Sequence, residues 1–146
     1  MGYNQAYNAY KNTNIKTASQ GKLIVLLYDE AVKQLTLASS LFNSEDKLAT
    51  ASIEKVGAAI IKTQDIITEL QVSLDMEKGG QIASNLMSLY VYFNSELTNA
   101  NINKDKKKID FVLQMMKELA SSWKVAAESS ANTAAPEVRP ALNIEG

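Results

Sequence analysis

Apolar residues recur every three or four positions through four long segments of this chain, and this spacing most limits how it can fold. It is the spacing of helices that each bury one broad apolar face. The stripe in the third segment consists of Ile82, Leu86, Leu89, Phe93, Leu97 and Ala100. No segment alternates between apolar and polar residues over a useful length, so strands are not expected. The pattern predicts an all-α protein.

Short breaks separate the predicted helices and determine how they are arranged. The four helices are predicted over about residues 20–42, 47–74, 81–101 and 105–127. The break before the third helix contains Gly79 and Gly80, whose backbones turn at low steric cost. Short connections favour antiparallel neighbours, so the fold is predicted to be an antiparallel up-and-down four-helix bundle.

Two segments lie outside the predicted bundle domain of residues 19–128. Residues 1–18 form a short N-terminal arm with three tyrosines on one face of a helical turn: Tyr3, Tyr7 and Tyr10. The arm is too short to be a stable isolated helix, so it either docks on the bundle or is captured by a partner. Residues 129–146 combine small polar residues with two prolines and are predicted to be a flexible C-terminal tail.

Composition excludes most kinds of catalysis. The 146 residues contain no histidine and no cysteine, which removes the commonest acid–base group, the commonest metal ligand and any disulfide. The carboxylates Asp29, Glu30 and Glu69 could in principle move protons, but they fit solvated helix faces better. We therefore expect a protein that is not an enzyme and that holds no metal and no cofactor.

Charge and hydropathy narrow the range of partners. A formal net charge of −1 gives no general attraction to nucleic acid or to an anionic membrane. The basic cluster at Lys104 and residues 106–108 fits a solvated turn, with an acidic partner segment as the alternative. The longest apolar run, residues 23–27, is far short of the ~20 residues that span a bilayer. With no signal peptide at the polar N-terminus, we expect a cytoplasmic protein without membrane insertion.

The helices carry more apolar width than a four-helix core requires. Adjacent apolar residues point about 100° apart around a helix, so one of each pair can approach the surface. Such pairs are Leu26–Leu27, Ile60–Ile61, Ile66–Ile67 and Met115–Met116. Either the core is generous, or the spare side chains line a groove that receives another chain. In the third helix, Tyr90 and Phe93 fit the core better than a contact surface, although Tyr90 stays a candidate for contact.

This chain carries TASQGKLIVLLYDEAV at residues 17–32 and the pattern SLDxEKGGxIAxNLxxLYxY within residues 73–101. In these two segments it resembles the FliS family, flagellar export chaperones that bind flagellin. The arm tyrosines and the single Trp123 also fit, and the resemblance covers about residues 3–126. The chain departs from the family at Gln20, where Pro is common, and at Glu30, where Gly is common. Glu30 in place of a small residue alters how closely a neighbouring chain can approach.

The resemblance implies a function, and in the arm it points to Tyr7 and Tyr10 as contact residues. A member of this family would bind the disordered C-terminal segment of flagellin in the cytoplasm and prevent its premature polymerisation. It would also aid delivery of flagellin to the type III export apparatus, with the export gate as a further partner. The alternative is a helical structural or assembly module that self-associates. The predicted partner-binding residues are Tyr3, Tyr7, Tyr10, Leu26, Leu27, Ile60, Ile61, Gln64, Ile67, Tyr90 and Met115.

Overall fold

The computed structural model describes residues 19–137, which form four helices joined by short loops. The helices are α1 (Ser19–Ser40), α2 (Thr50–Ser73), α3 (Gly80–Asn103) and α4 (Lys106–Glu137). No strand is present within residues 19–137, where Phe42 and Leu48 form an isolated antiparallel bridge. The predicted all-α class is therefore confirmed.

Hydrogen bonds between α2 and α3 show that these helices run in opposite directions. The Gln64 side chain donates to the Thr98 hydroxyl at 2.9 Å, and the Gln71 side chain donates to the Met87 sulfur at 3.4 Å. The later residue on α2 thus meets the earlier residue on α3, as in an antiparallel pair.

Helix α4 closes the bundle by packing antiparallel to α1. The hydroxyl group of Ser39, near the end of α1, donates a hydrogen bond to the carboxylate of Asp110, near the start of α4, with an oxygen–oxygen distance of 2.5 Å. Nearer the other end, Lys124 of α4 pairs with Asp29 of α1 at 3.2 Å. Each helix packs on the next in chain order and α4 packs on α1, which confirms the predicted up-and-down four-helix bundle. Helix α1 packs more extensively on its two neighbours than α3 does.

Local backbone chemistry explains the positions of the turns. The Asn43 side-chain oxygen accepts the backbone N–H groups of Glu45 and Lys47, and this bonding holds the loop after α1. At the first residue of α3, Gly80 adopts a φ of 56°, a left-handed conformation that glycine takes without a Cβ clash. After α3, Lys104 adopts a similar φ of 54° and caps the helix.

The helix ends differ most from prediction at the end of α4. This helix continues to Glu137, ten residues beyond the predicted end near residue 127. These ten residues contain three alanines, which have the highest helix propensity, and their contribution outweighs that of the two serines and Pro136. The arm of residues 1–18 and residues 138–146 lie outside the described residues. The division into arm, bundle and tail therefore stays a prediction.

The core runs along the centre of the bundle and is formed by the predicted stripes. Within α3, the predicted stripe residues Phe93, Leu97 and Ala100 are fully buried, and Ile82, Leu86 and Leu89 pack partly buried against them. Each large apolar side chain removed from water stabilises the fold by about 1.5–3 kcal/mol. The core therefore fixes which faces of the four helices point outward.

Candidate partner-binding surface

The adjacent pairs Ile60–Ile61 and Ile66–Ile67 show which apolar side chains reach the surface. Ile60 is fully buried, whereas the neighbouring Ile61 is 53% exposed. Leu26 and Met115 also lie further out than their neighbours Leu27 and Met116. Ile66 and Ile67 are both buried, because both fall within the arc that α2 turns to the interior. The spare apolar width predicted from the sequence is thus present in three of the four pairs.

The structure distributes the predicted partner-binding residues over several environments. Leu26 and Ile61 are exposed, while Leu27, Gln64 and Met115 are half-buried. Ile60, Ile67 and Tyr90 are fully buried in the core. Tyr3, Tyr7 and Tyr10 lie outside the described residues. A contact role for any of these eleven residues stays a prediction.

Tyr90 is buried because its ring and hydroxyl group both have partners inside the bundle. Its hydroxyl group hydrogen-bonds to that of Tyr28, which is also fully buried. The Tyr28 ring stacks on Trp123, with ring centroids 6.4 Å apart and planes inclined at 28°. Buried aromatic residues with hydrogen-bonded polar tips are ordinary core components. In the conformation observed, Tyr90 links α1 and α3 across the centre.

The seam between α2 and α3 combines polar contacts with exposed apolar residues. The Gln64 side-chain amide donates to the backbone carbonyl of Asn94 at 3.1 Å and to the Thr98 hydroxyl group at 2.9 Å. Ile61 lies one turn before Gln64 and Ile102 lies one turn after Thr98, so the antiparallel register places both at the same level. These two isoleucines are 53% and 70% exposed. An apolar group on another molecule could cover both side chains at once.

Hydrogen bonding along the α2–α3 seam is incomplete at one position. The Asn94 amide donates to Gln71 at 3.4 Å, near the limit for such a bond. The side-chain oxygen of Asn94 is buried and has no hydrogen-bond partner among the described residues. A buried acceptor without a partner costs about 1–3 kcal/mol, so this seam is held less firmly than a fully bonded one.

The seam between α3 and α4 exposes a pair of aromatic rings. Tyr92 and Phe111 meet edge to face, with centroids 6.0 Å apart and planes at 83°. They are 47% and 42% exposed. One turn away, Lys108 pairs with Glu96 at 3.1 Å, and this hydrogen bond raises the pKa of Lys108. Half-exposed aromatic rings beside a fixed ion pair offer a preformed apolar contact.

The predicted basic cluster makes its bonds within the chain. Lys106 pairs with Asp110 at 2.8 Å, and that bond raises the pKa of Lys106. The Lys104 ammonium group donates to the Asn101 carbonyl at 2.6 Å. Together with the Lys108 pair, these contacts support the interpretation of a solvated turn rather than a dedicated site for an acidic segment.

Several exposed apolar residues near α3 were not predicted as contact residues. They are Val72 on α2, Val91, Tyr92 and Ile102 on α3, and Phe111 on α4. Each lies off the main apolar stripe of its helix, so the spacing of the stripe does not include it. In the sequence, each is a β-branched or aromatic residue at a position on the polar face of its helix. By contrast, Leu26 lies on α1, the helix diagonal to α3, and so does not join this surface.

Comparison with known proteins decides the family. The family model described as flagellar protein FliS matches residues 3–130. The chain belongs to the FliS family. A flagellar secretion chaperone FliS from Vibrio cholerae is 30% identical over 135 residues, covering 92% of this chain and 95% of that protein. The Salmonella typhimurium FliS is 35% identical, covering 75% of this chain and 78% of that protein.

Membership of the FliS family fixes the broad class of function. A FliS from Bacillus subtilis, 27% identical over 129 residues, is likewise named a flagellar secretion chaperone. The family is one of secretion chaperones and not of enzymes, and a flagellar protein is the partner that such a chaperone serves. Within residues 19–137, no helix is both long and apolar enough to cross a membrane.

Proposed function

We propose that this FliS-family chain binds the disordered C-terminal segment of flagellin in the cytoplasm. Binding keeps the segment from polymerising prematurely and aids its delivery to the flagellar type III export apparatus, where the export gate is a further partner. The observation that carries this proposal is the set of exposed apolar side chains along α3 and its neighbours in a secretion chaperone. Such side chains can cover the apolar face of a client.

The physical mechanism is competition for the client's apolar face. The client's amphipathic helices would otherwise bury their apolar faces against other flagellin molecules. A disordered client loses conformational entropy when it orders on the chaperone, so a large apolar contact is needed to offset that loss. Exposed Ile61, Ile102, Tyr92 and Phe111 supply apolar area on both sides of α3.

The predicted contact residues divide into two groups under this proposal. Leu26, Leu27, Ile61, Gln64 and Met115 are at least partly accessible in the conformation described. Contact with the buried group, Ile60, Ile67 and Tyr90, requires the helices to separate. We propose that Ile61 and Gln64, the members of this group that lie at the α2–α3 seam, bind first. By family resemblance, the arm with Tyr7 and Tyr10 covers part of the client-binding surface when no client is bound, which lowers the apparent client affinity.

Titration with a peptide of flagellin's C-terminal segment tests the function directly. The expected results are a gain of helical circular dichroism beyond the sum of the components and a complex on size exclusion. A peptide with the same composition in scrambled order is the control and should give neither result. No helicity gain and no complex with the native peptide would reject the proposal.

Self-association is the second candidate function, and the exposed Tyr92–Phe111 pair is the observation that favours it. Sedimentation over a range of protein concentrations separates the two functions. A tight dimer that dissociates only on unfolding would favour a structural module. A monomer that forms a complex only with the peptide would favour the chaperone.

A further inference from the structure

All the sulfur in this chain is in methionine, because the 146 residues include five methionines and no cysteine. Methionine is a common site of oxidation in proteins, and an accessible thioether is converted to a sulfoxide. Four of the methionines lie in the described residues and differ in environment. Met76 is 45% exposed in the turn before α3, Met87 and Met115 are half-buried, and Met116 is fully buried.

Met87 differs from the other described methionines in the contact that its sulfur makes. The side-chain Nε2 of Gln71, on α2, donates a hydrogen bond to Met87 Sδ, on α3, at 3.4 Å. Among the described residues, Met76, Met115 and Met116 make no hydrogen bond through sulfur. A thioether sulfur is only a weak acceptor, so Gln71 holds a good donor against a poor partner.

The bonds around Gln71 leave this part of the α2–α3 seam weakly held. Gln71 Oε1 accepts from the Asn94 side-chain amide at 3.4 Å, near the limit for such a bond. Further along the seam, the Gln64 amide makes ordinary bonds of 2.9 and 3.1 Å. A stronger acceptor in place of the Met87 sulfur would fix the Gln71 amide and, through it, the bond to Asn94.

Oxidation of Met87 creates such an acceptor. With hydrogen peroxide, a lone pair of Met87 Sδ attacks one peroxide oxygen and the O–O bond breaks. The departing hydroxide takes the proton of the transferred oxygen and leaves as water. The thioether is oxidised to a sulfoxide, whose oxygen is polar and accepts hydrogen bonds. The unbranched side chains of Gln71 and Met87 can rotate to bring this oxygen within ordinary bonding distance of Nε2.

We propose that Met87 is a site of reversible oxidation by peroxides, and that its sulfoxide accepts the Gln71 hydrogen bond and tightens the α2–α3 seam. A sulfoxide in a packed seam is usually disruptive, because the new polar group has no partner there. At Met87 the donor is already in place, so the fold accommodates the oxidised side chain. Methionine sulfoxide reductases restore the thioether, which makes the change reversible.

A protein in which Met87 is the only accessible methionine of the described residues tests the proposal. Met76→Leu with Met115→Leu provides this background, because Met116 is fully buried and leucine replaces methionine at little cost in stability. Two further variants are made in the background: Gln71→Leu removes the donor, and Met87→Leu removes the thioether. Each protein is treated with hydrogen peroxide, and sulfoxides are located by mass spectrometry of its peptides. The Met87→Leu protein controls for oxidation elsewhere in the chain.

Melting and amide hydrogen exchange are then compared before and after oxidation. The background protein should form a sulfoxide at Met87, should melt no lower than its unoxidised form, and should exchange the amides of α3 severalfold more slowly. In the Gln71→Leu protein the sulfoxide has no donor, so oxidation should lower the melting temperature by about 3 °C or more. Gln71→Glu, which keeps the acceptor for Asn94 but lacks the donor, should show a similar loss. Treatment with methionine sulfoxide reductases should reverse these changes.

Each of three other results would overturn the proposal. Met87 could stay unmodified in the folded background protein, which would show that peroxide does not reach its sulfur. Oxidation could lower the melting temperature equally with and without the Gln71 donor, which would show that the sulfoxide makes no bond to Gln71. Faster exchange of the α3 amides after oxidation would show that the sulfoxide loosens the seam.

Discussion

The hydroxyl groups of Tyr28 and Tyr90 hydrogen-bond to each other at the centre of the bundle, joining α1 to the diagonal helix α3. Both side chains are fully buried. Since α1 and α3 are not packed neighbours, this bond is a direct link between opposite sides of the molecule. It also places a polar contact in a core that is otherwise apolar except for Thr63, whose hydroxyl group donates to the Ala59 carbonyl.

Replacing Tyr90 with Phe should destabilise the protein by about 0.5–1.5 kcal/mol, because the Tyr28 hydroxyl loses one of its hydrogen bonds. Urea unfolding of Tyr28→Phe, Tyr90→Phe and the double variant gives the coupling energy. The two single changes should not add, because they remove the same bond. Additive losses would mean that the bond contributes nothing measurable.

Removal of the Trp123 ring should cost about 3–5 kcal/mol, as expected for truncation of a buried aromatic residue. Trp123 is 5% exposed and stacks on Tyr28. Tyr92→Ala is the control, because that ring is 47% exposed and should cost less than about 1 kcal/mol. Unfolding by urea, followed by circular dichroism, measures both. Similar losses from the two changes would contradict the assigned environments.

The neighbours Ile60 and Ile61 should separate stability from client binding. Ile60→Ala should destabilise the fold by about 2–5 kcal/mol, because the side chain is fully buried. Ile61→Ala should cost little stability but should weaken binding of the flagellin peptide by severalfold. Val125→Ala, at an exposed position on α4, controls for loss of surface area. Unchanged peptide affinity in Ile61→Ala would remove this residue from the contact surface.

Lys104 offers a stabilising substitution. Its φ of 54° is a left-handed conformation that a side chain disfavours by roughly 1–2 kcal/mol. Lys104→Gly removes this strain but also loses the bond from the ammonium group to the Asn101 carbonyl. Glycine has the larger unfolded-state entropy as well, so we expect a net gain of about 0.5 kcal/mol. A lower melting temperature than that of the unmodified protein would show that the lost bond outweighs the strain.

The Lys108–Glu96 pair should make stability depend on alkaline pH. The hydrogen bond that Lys108 donates to Glu96, together with the negative charge of Glu96, raises the pKa of Lys108 in the folded state. The pair's contribution is therefore complete at neutral pH and is lost as the pH rises through the folded-state pKa, above the ordinary value of 10.5. The measurement is the difference in unfolding free energy between the unmodified protein and Glu96→Gln. This difference should be constant from pH 7 to about pH 10 and should shrink above that.

The sequence predicted the bundle well because each helix has one dominant apolar stripe. Phe93, Leu97 and Ala100 were placed in the core by spacing alone, and they are buried. Spacing alone could not show that Ile66 and Ile67 are both buried, because the width of the buried face of α2 depends on how the neighbouring helices pack against it. The end of α4 was predicted too early, because the high helix propensity of the alanines in this segment is opposed by the low propensity of the neighbouring serines and proline.

The candidate surface was harder to predict than the core. Val91 and Phe111 each look like an isolated exposed apolar residue on their own helix. They form a surface only together with residues of a neighbouring helix, and periodicity within one segment cannot show which helices are neighbours. Tyr90 illustrates the opposite difficulty, because an aromatic residue near the surface and one in the core have the same sequence spacing. Its burial follows from the partner hydroxyl of Tyr28, which lies 62 residues away.

Helix α3 packs less extensively than α1, and this should affect where the bundle opens locally. Backbone amide protons in a helix exchange with solvent when that helix opens locally. Opening costs less free energy where the helix packs less extensively on its neighbours. Helix α3 should therefore be the first to loosen while α1 keeps its place between α2 and α4. The bundle should therefore open at α3 while the other three helices stay packed together, without unfolding as a whole.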